Sequence, residues 1–441
     1  MTWTRFGLAL SALLIARAAA GDDHAVAWID RHQGELLKLY EHLHAHPELS
    51  FHEVETAGRI ADELRHAGAE VTENVGKLGV VGILKNGPGP TVLVRSDLDA
   101  LPVAEMTGLP YASKATTTDD AGKTVPVMHA CGHDVHMTCL VGVARWLAEH
   151  KKEWSGTVVL IGQPAEEKIG GAKEMLADGL YTRFPKPDFA LALHVAHDLE
   201  AGKIGYIAGP AMAGSTSVEV TVRGKGGHGA MPHNTVDPIV LASLLVLDLQ
   251  TIVSREVNPI HSAVVTVGSI QGGTKHNIIP NDVLLQMTLR SFRPEVTTQL
   301  VEGIRRRADG LAKAHRAPEP SVVINESTPA TINTPSLVSR VMPAIARGIG
   351  GEANLVEVDP TMGAEDFGLF GQGGVPTFMF RLGTIPPDRL AEAKAKGETL
   401  PSLHSPLFHP DPAPTLRTGI RAMTAAVVDL LPPAVTSREN R

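Results

Sequence analysis

Residues 158–167 read Val158-Val159-Leu160-Ile161-Gly162-Gln163-Pro164-Ala165-Glu166-Glu167. An apolar, β-branched run that ends on two adjacent carboxylates predicts a central strand, Thr157 to Ile161, with acid groups at its rim. Further short strands are expected at Val80 to Leu84, Thr91 to Val94, Phe189 to Leu193 and Pro376 to Phe380. Apolar residues recur at helical spacing from Ala25 to Leu43, from Glu53 to Ala67 with Gly68 as the stop, and from Val135 to Glu149. Strand, helix, strand order predicts an α/β layer structure whose strand-end loops carry the polar chemistry.

Near Met212 the rhythm changes. Ser217 to Val222, His261 to Val267, Val283 to Leu289 and Ser321 to Ile324 read as strands, with helices at Pro238 to Val253 and Glu295 to Ala314. The order β-α-β-β-α-β is the ferredoxin-like signature, and its sheet keeps one face free for a partner or for use as a lid. Pro335 to Ala346 then reads as a helix that Pro343 is placed to kink, and the chain returns to the first domain.

With 441 residues, 43% of them apolar, the chain is long enough for two cores. Its 40 Lys plus Arg against 48 Asp plus Glu give a formal charge of -8, which argues against a basic nucleic-acid surface. Two cysteines exclude a disulfide scaffold, and Cys131 and Cys139, around a helix start, are not expected to pair. Residues 1–20, MTWTRFGLALSALLIARAAA, place Arg5 before an apolar run and close on Ala18-Ala19-Ala20. That pattern predicts an export signal cleaved near Ala20 and a periplasmic or secreted product, the alternative being a retained leader. No later stretch is expected to combine the length and low polarity of a membrane span.

The densest polar segment is His129-Ala130-Cys131-Gly132-His133-Asp134-Val135-His136. Cys and His both ligate borderline metals, and Gly132 permits a sharp turn that aims Cys131 and His133 into one site; the bland alternative is a buried thiol with helix-capping histidines. Adjacent Glu166 and Glu167 would repel beyond a buried strand unless a cation or proton is shared. One carboxylate can then bind metal while the other takes a proton from a metal-bound water and gives it to the departing group. Glu166 is assigned as the base and Glu167 as the ligand, although the spacing alone permits a swap. His194, expected to terminate its strand, and His404, in a distant loop, complete a mixed-ligand set.

Asp97 and Asp99 follow the strand Thr91 to Val94, and Asp99 is the choice to support a metal-bound histidine, with turn capping as the plain alternative. In the second block, Gly224-Lys225-Gly226-Gly227-His228-Gly229 lacks the spacing of a nucleotide-binding loop. His228 there can donate a hydrogen bond to a developing oxyanion, and Asn277 and Arg290 can anchor a substrate polar group or carboxylate. Each can equally be a turn or strand-rim residue.

These motifs, in order, resemble the M20 metallopeptidase/amidohydrolase superfamily, in its branch of hippurate hydrolases and plant auxin-amino-acid hydrolases. The resemblance runs from about Ile29 to Leu430 and also includes Met362-Gly363-Ala364-Glu365-Asp366-Phe367 and His404-Ser405-Pro406. It implies an α/β, zinc-peptidase-like catalytic domain at 25–210 and 326–435, interrupted by a ferredoxin-like α+β lid or dimerisation domain at 211–325. It implies metal ligation by Cys131, His133, Glu167, His194 and His404, with two divalent ions per subunit, Cys131 between them, and Mn, Zn, Co or Ni left open. Glu166 becomes the general base, His228 the transition-state partner, reaching within or across subunits, and Asn277 and Arg290 substrate contacts. The implied activity is hydrolysis of an N-acyl amino acid or related amide by a homodimer, with a carboxypeptidase or dipeptidase on short peptides as the alternative. A metal-dependent binding protein without turnover is the non-enzymatic reading.

Overall fold

The computed structural model describes residues 27–433, so the export signal read at residues 1–20 and the end of the chain lie outside the described residues. Two compact units emerge, one comprising Met1–Gly209, Asn333–Asp359 and Phe370–Arg441, the other Pro210–Ile332 and Pro360–Leu369.

The first unit is built on an eight-stranded mixed sheet. Its centre holds three mutually parallel neighbours, Gly156–Gln163, Thr91–Asp97 and Phe189–Glu200, followed by Thr377–Ile385, also parallel. These strands read as nearly continuous apolar runs because helices cover both faces, as parallel strands require. The helix His133–Glu149 connects Thr91–Asp97 to Gly156–Gln163 and is buried along most of its length. Helices 27–45, Val54–His66, Pro335–Gly348 and Pro412–Leu430 supply the rest of the core, with Trp28, Tyr40, Trp146 and Phe378 fully enclosed. Pro343 sits inside the continuous helix Pro335–Gly348.

The expectation that His194 ends its strand is corrected. Phe189–Glu200 is twelve residues long, because Thr377–Ile385 continues to pair with it beyond His194. The neighbour on the other side does stop: Arg95 pairs with Ala192, so Asp97, the last residue of Thr91–Asp97, lies level with His194. His194 therefore stands at the rim of an adjacent strand rather than at its own end.

The second unit is a four-stranded antiparallel sheet in the order Ala263–Gln271, Asp282–Ser291, Gly214–Arg223, Ser321–Thr328. With helices Pro238–Thr251 and Pro294–Ala314, this is the ferredoxin-like arrangement. The helical stretch Pro238–Glu256 corrects the expectation about membrane spans, since it is long and apolar enough to cross a bilayer by length and composition. Its apolarity has two sources within the unit. Leu241, Ala242, Leu245 and Leu249 pack into the core, whereas Ile239, Val240, Leu244 and Leu247 are exposed.

Candidate metal centre

The site forms where strand ends meet a helix start. Cys131 and His133 flank Gly132, whose φ of 75° lies in the left-handed region and whose Cβ, if present, would stand 2.6 Å from a Val195 methyl. Only glycine allows that approach, and it brings Cys131 Sγ to 3.7 Å from His194 Nε2. His194 donates from Nδ1 to its neighbour's carbonyl, Val195 O, at 2.8 Å, which leaves Nε2 as the ligating nitrogen. His133 does the same through Nδ1, 2.8 Å from the carbonyl of Asp99. Its Nε2 then faces Asp97 Oδ2 at 3.5 Å, Glu166 Oε2 at 3.9 Å and Glu167 Oε1 at 4.0 Å.

The acidic loop is held from below. Ala165 has a φ of 50°, unusual for a residue with a side chain, and its N–H donates to the buried Glu53 Oε1 at 2.7 Å. The Glu167 N–H donates to Asp99 Oδ2 at 3.0 Å, and the Ser50 hydroxyl donates to the same oxygen at 2.6 Å. Asp99 thus supports His133 through its carbonyl and the Glu167 backbone through its carboxylate. His404, also at positive φ, donates its backbone N–H to Ala130 O at 2.9 Å and places Nε2 3.4 Å from Glu167 Oε1.

The side chains fit divalent metal. His133 Nε2 and Glu167 Oε1 are buried without a hydrogen-bond partner, an arrangement that a shared cation would satisfy. Cys131, His133 and His194 form one group of candidate ligand atoms within 4.8 Å of one another, and Cys131, Glu167 and His404 form a second. Cys131 belongs to both, so the cluster suits two ions. A third group, Asp97, His133 and His136, includes a histidine that is already committed. His136 Nε2 accepts from the Val195 N–H at 3.0 Å and Nδ1 lies 2.6 Å from Asp97 Oδ1, so it orients Asp97 instead of ligating.

The electrostatics agree. Burial disfavours charge on His133, yet Asp97, Asp99 and Glu167 overcome it and push its pKa up to about 10. The negative field that would hold a proton there is the field a cation would use. Burial, together with the charge of Arg381, holds His194 well below the usual imidazole value, which favours the neutral form that ligates. Burial and the nearby Glu167, Glu166 and Asp97 raise the Cys131 thiol, and a metal inverts that preference by deprotonating a thiol it coordinates.

All five proposed ligands, together with Glu166 and Asp99, gather in the first unit. His197, three residues beyond His194, belongs to none of these clusters among the described residues. His228, Asn277 and Arg290 lie in the second unit. His228 sits on the exposed two-residue strand Gly227–His228, paired with Ile278–Ile279. Its Nδ1 accepts the Ala230 N–H at 3.0 Å, which places the proton on Nε2 and makes that atom a donor. Asn277 is exposed, and Arg290 is half-buried on a different sheet with Nη1 unpaired. Cys131 and Cys139 are both free thiols.

Sequence reasoning missed three neighbours of the site. The role of His136 was signalled by its position one turn after His133. Glu53 gave no sign beyond being the first residue of an amphipathic stretch. Arg381 was marked by a lone charge within the apolar run Thr377–Ile385.

A cation-binding cluster with a further carboxylate beside it is equipped for metal-dependent hydrolysis of amide or peptide bonds. The family model "Peptidase family M20/M25/M40" matches residues 93–401. A hippurate hydrolase from Campylobacter jejuni is 40% identical over 340 residues, 77% of this chain and 85% of the relative. Thermostable carboxypeptidase 1 from Saccharolobus solfataricus is 35% identical over 353 residues, covering 79% and 86%. Among solved structures, the Bacillus subtilis YXEP protein, described as a dinuclear metal binding peptidase from the M20 family, is 30% identical with a TM-score of 0.72, covering 90% of this chain and 99% of that one. It shares the α/β catalytic domain with a separate β-rich insertion. By the span of the match and the identity to relatives across most of their length, the chain belongs to the M20 peptidase/amidohydrolase superfamily and is a metal-dependent hydrolase.

Proposed function

We propose that the protein hydrolyses the amide bond of N-acyl amino acids, within the branch that holds the hippurate and auxin-amino-acid hydrolases. The observation that carries this reading is the cysteine shared by two ligand groups with Glu166 beside them. When bound, divalent ions polarise the scissile carbonyl and acidify the attacking water. Cys131, His133, Glu167, His194 and His404 would hold the ions, Cys131 being the residue common to both ligand groups. Glu166 takes the water's proton and returns it to the departing amine. His228 Nε2–H, from the same subunit or its partner, donates to the oxyanion, and Asn277 and Arg290 contact the substrate.

A carboxypeptidase or dipeptidase activity is the second reading, favoured by the comparable likeness to the thermostable carboxypeptidase. A screen of the metal-reconstituted protein against benzoyl-, acetyl- and fatty-acyl-amino acids and dipeptides, read as free amine, separates the two. Turnover of dipeptides alone would overturn the first reading, and tight binding without product would overturn both.

The working unit in this proposal is an exported homodimer. The exposed Ile239, Val240, Leu244 and Leu247 on the insertion's helix form an apolar stripe that a second copy would cover. Mass measurement at low micromolar concentration, with N-terminal sequencing of the mature product, tests both parts; an active monomer or an intact Met1 would count against them.

A further inference from the structure

The strand Thr377–Ile385 reads TFMFRLGTI, with Arg381 its only charged residue. Arg381 pairs with His194 on one neighbour and with Gly205 on the other. Directly paired residues project to the same face of a sheet, so the guanidinium leaves on the His194 side. Among the described residues, its Nε has no hydrogen-bond partner and no carboxylate forms an ion pair with it. Asp198, the acid whose charge it feels, is exposed. Burial accordingly holds the Arg381 pKa below its usual value.

A largely buried, unpaired cation next to cation ligands is costly, and bound metal increases the repulsion. An anion arriving with the substrate would relieve it. The planar fork of an arginine matches a carboxylate, and Arg381 offers that fork from the unit that holds the metal ligands.

We propose that Arg381 is a specificity-determining residue that receives a carboxylate of the substrate beside the metal centre. This deepens the amide-hydrolase reading and rests on it. The carboxylate has two possible sources, the α-carboxylate of the amino acid or an acid group on the acyl chain. If Arg290 in the inserted unit takes one, Arg381 is free to take the other.

Three probes distinguish the sources: benzoylglycine, with an α-carboxylate; succinylglycinamide, with an acyl-side carboxylate; and benzoylglycinamide, with neither. Turnover is compared in metal-loaded wild type, Arg381→Met and Arg381→Lys. Dissociation constants are measured for the same probes in Glu166→Gln with and without Arg381→Met, and metal content is measured for every protein. The Arg381→Met change should lower the preference for one carboxylate probe over benzoylglycinamide about 10- to 100-fold, in kcat/KM and in affinity, with metal content retained. Arg381→Lys should recover part of it. A fall confined to benzoylglycine assigns the α-carboxylate, and a fall confined to succinylglycinamide assigns the acyl side. Unchanged preferences, an equal loss on all three probes, or loss of metal would overturn the proposal, the last pointing to support of the Cys131 thiolate. Arg381-dependent binding of a carboxylate probe in a protein that hydrolyses no amide would break the amide-hydrolase reading while sparing this one.

Discussion

The two units use polar side chains in opposite ways. In the first, His133 and His194 are buried, and each has one nitrogen fixed by a backbone carbonyl so that the other is aimed. In the second, His228 and Asn277 are exposed, and the bond that orients His228 comes from its own loop two residues on. Burial with complete outer bonding makes a rigid centre for metal and proton chemistry. Exposed donors on a short strand suit a group that meets its target only when substrate is present. In the proposed mechanism the first unit carries the metal and proton chemistry together with the Arg381 contact, and the second supplies the oxyanion donor, so their variants should behave differently.

The largest effect should come from Glu166→Gln. Removing the base is expected to lower kcat about 10²- to 10⁴-fold while metal content stays at the wild-type level. Full turnover in this variant would transfer the base role away from Glu166, and loss of metal would exchange its role with that of Glu167. His228→Ala should follow, lowering kcat about 10²- to 10³-fold with no change in metal content, since its position is outside the ligand cluster. Mixing Glu166→Gln with His228→Ala sharpens the comparison. Recovered activity in the mixture would show that His228 serves the partner's site, and no recovery would place it in its own.

Buried charge in the first unit also predicts a pH signature. His44 lies 2.7 Å from Asp134 Oδ2 and 3.1 Å from Glu105 Oε1, all three side chains enclosed. Burial opposes its charge, but hydrogen bonds and attraction from Asp134 and Glu105 prevail and raise its pKa from 6.5 to about 9. A raised folded-state value stabilises the protein fully below pH 6.5 and loses its effect as pH climbs through about 9. The contribution is on the order of 3 kcal/mol. The unfolding midpoint of His44→Gln should therefore lie below wild type at pH 6 and converge with it above pH 9. A constant gap would show that His44 acts by packing alone. The inserted unit's Glu256, paired with Arg306 and Arg307 at the surface, should give no comparable pH dependence in this range.

How much of this was legible in the sequence follows from the same contrast. The proposed ligands Cys131, His133, Glu167, His194 and His404 stand in dense or sharply bounded motifs, because a metal site needs particular atoms at fixed spacing. The strand–helix order of the insertion was readable because apolar periodicity reports burial directly. The residues around the proposed ligands were not readable, since their placement depends on tertiary neighbours. Strand register sets Arg381 beside His194, and the long-range approach of Glu53 fixes Ala165. The length of Phe189–Glu200 was misjudged for a related reason: its polar second half is held by pairing with a strand almost two hundred residues away. The long apolar helix of the insertion was misjudged because one segment serves both a core and an exposed face.

The smallest predicted effect probes the support beneath the ligands. Asp99 meets His133 through its backbone carbonyl and the Glu167 N–H through Oδ2, while Oδ1 lies 3.3 Å from His133 Nδ1. Asn in its place keeps the carbonyl bond and an acceptor for the Glu167 N–H, but removes the charge that favours a cation on the imidazole. Asp99→Asn should therefore fold normally and bind metal roughly 10- to 100-fold more weakly, with kcat largely restored at saturating metal. A titration of activity against free metal separates the outcomes: a shifted midpoint with a recovered plateau supports the electrostatic role, whereas an unshifted midpoint with a lowered plateau would mean that Asp99 mainly positions the Glu166–Glu167 loop. The second outcome would move Asp99 from metal affinity to loop geometry, and the carboxylate that tunes the cation would then be Asp97, which His136 and Arg95 already hold in place.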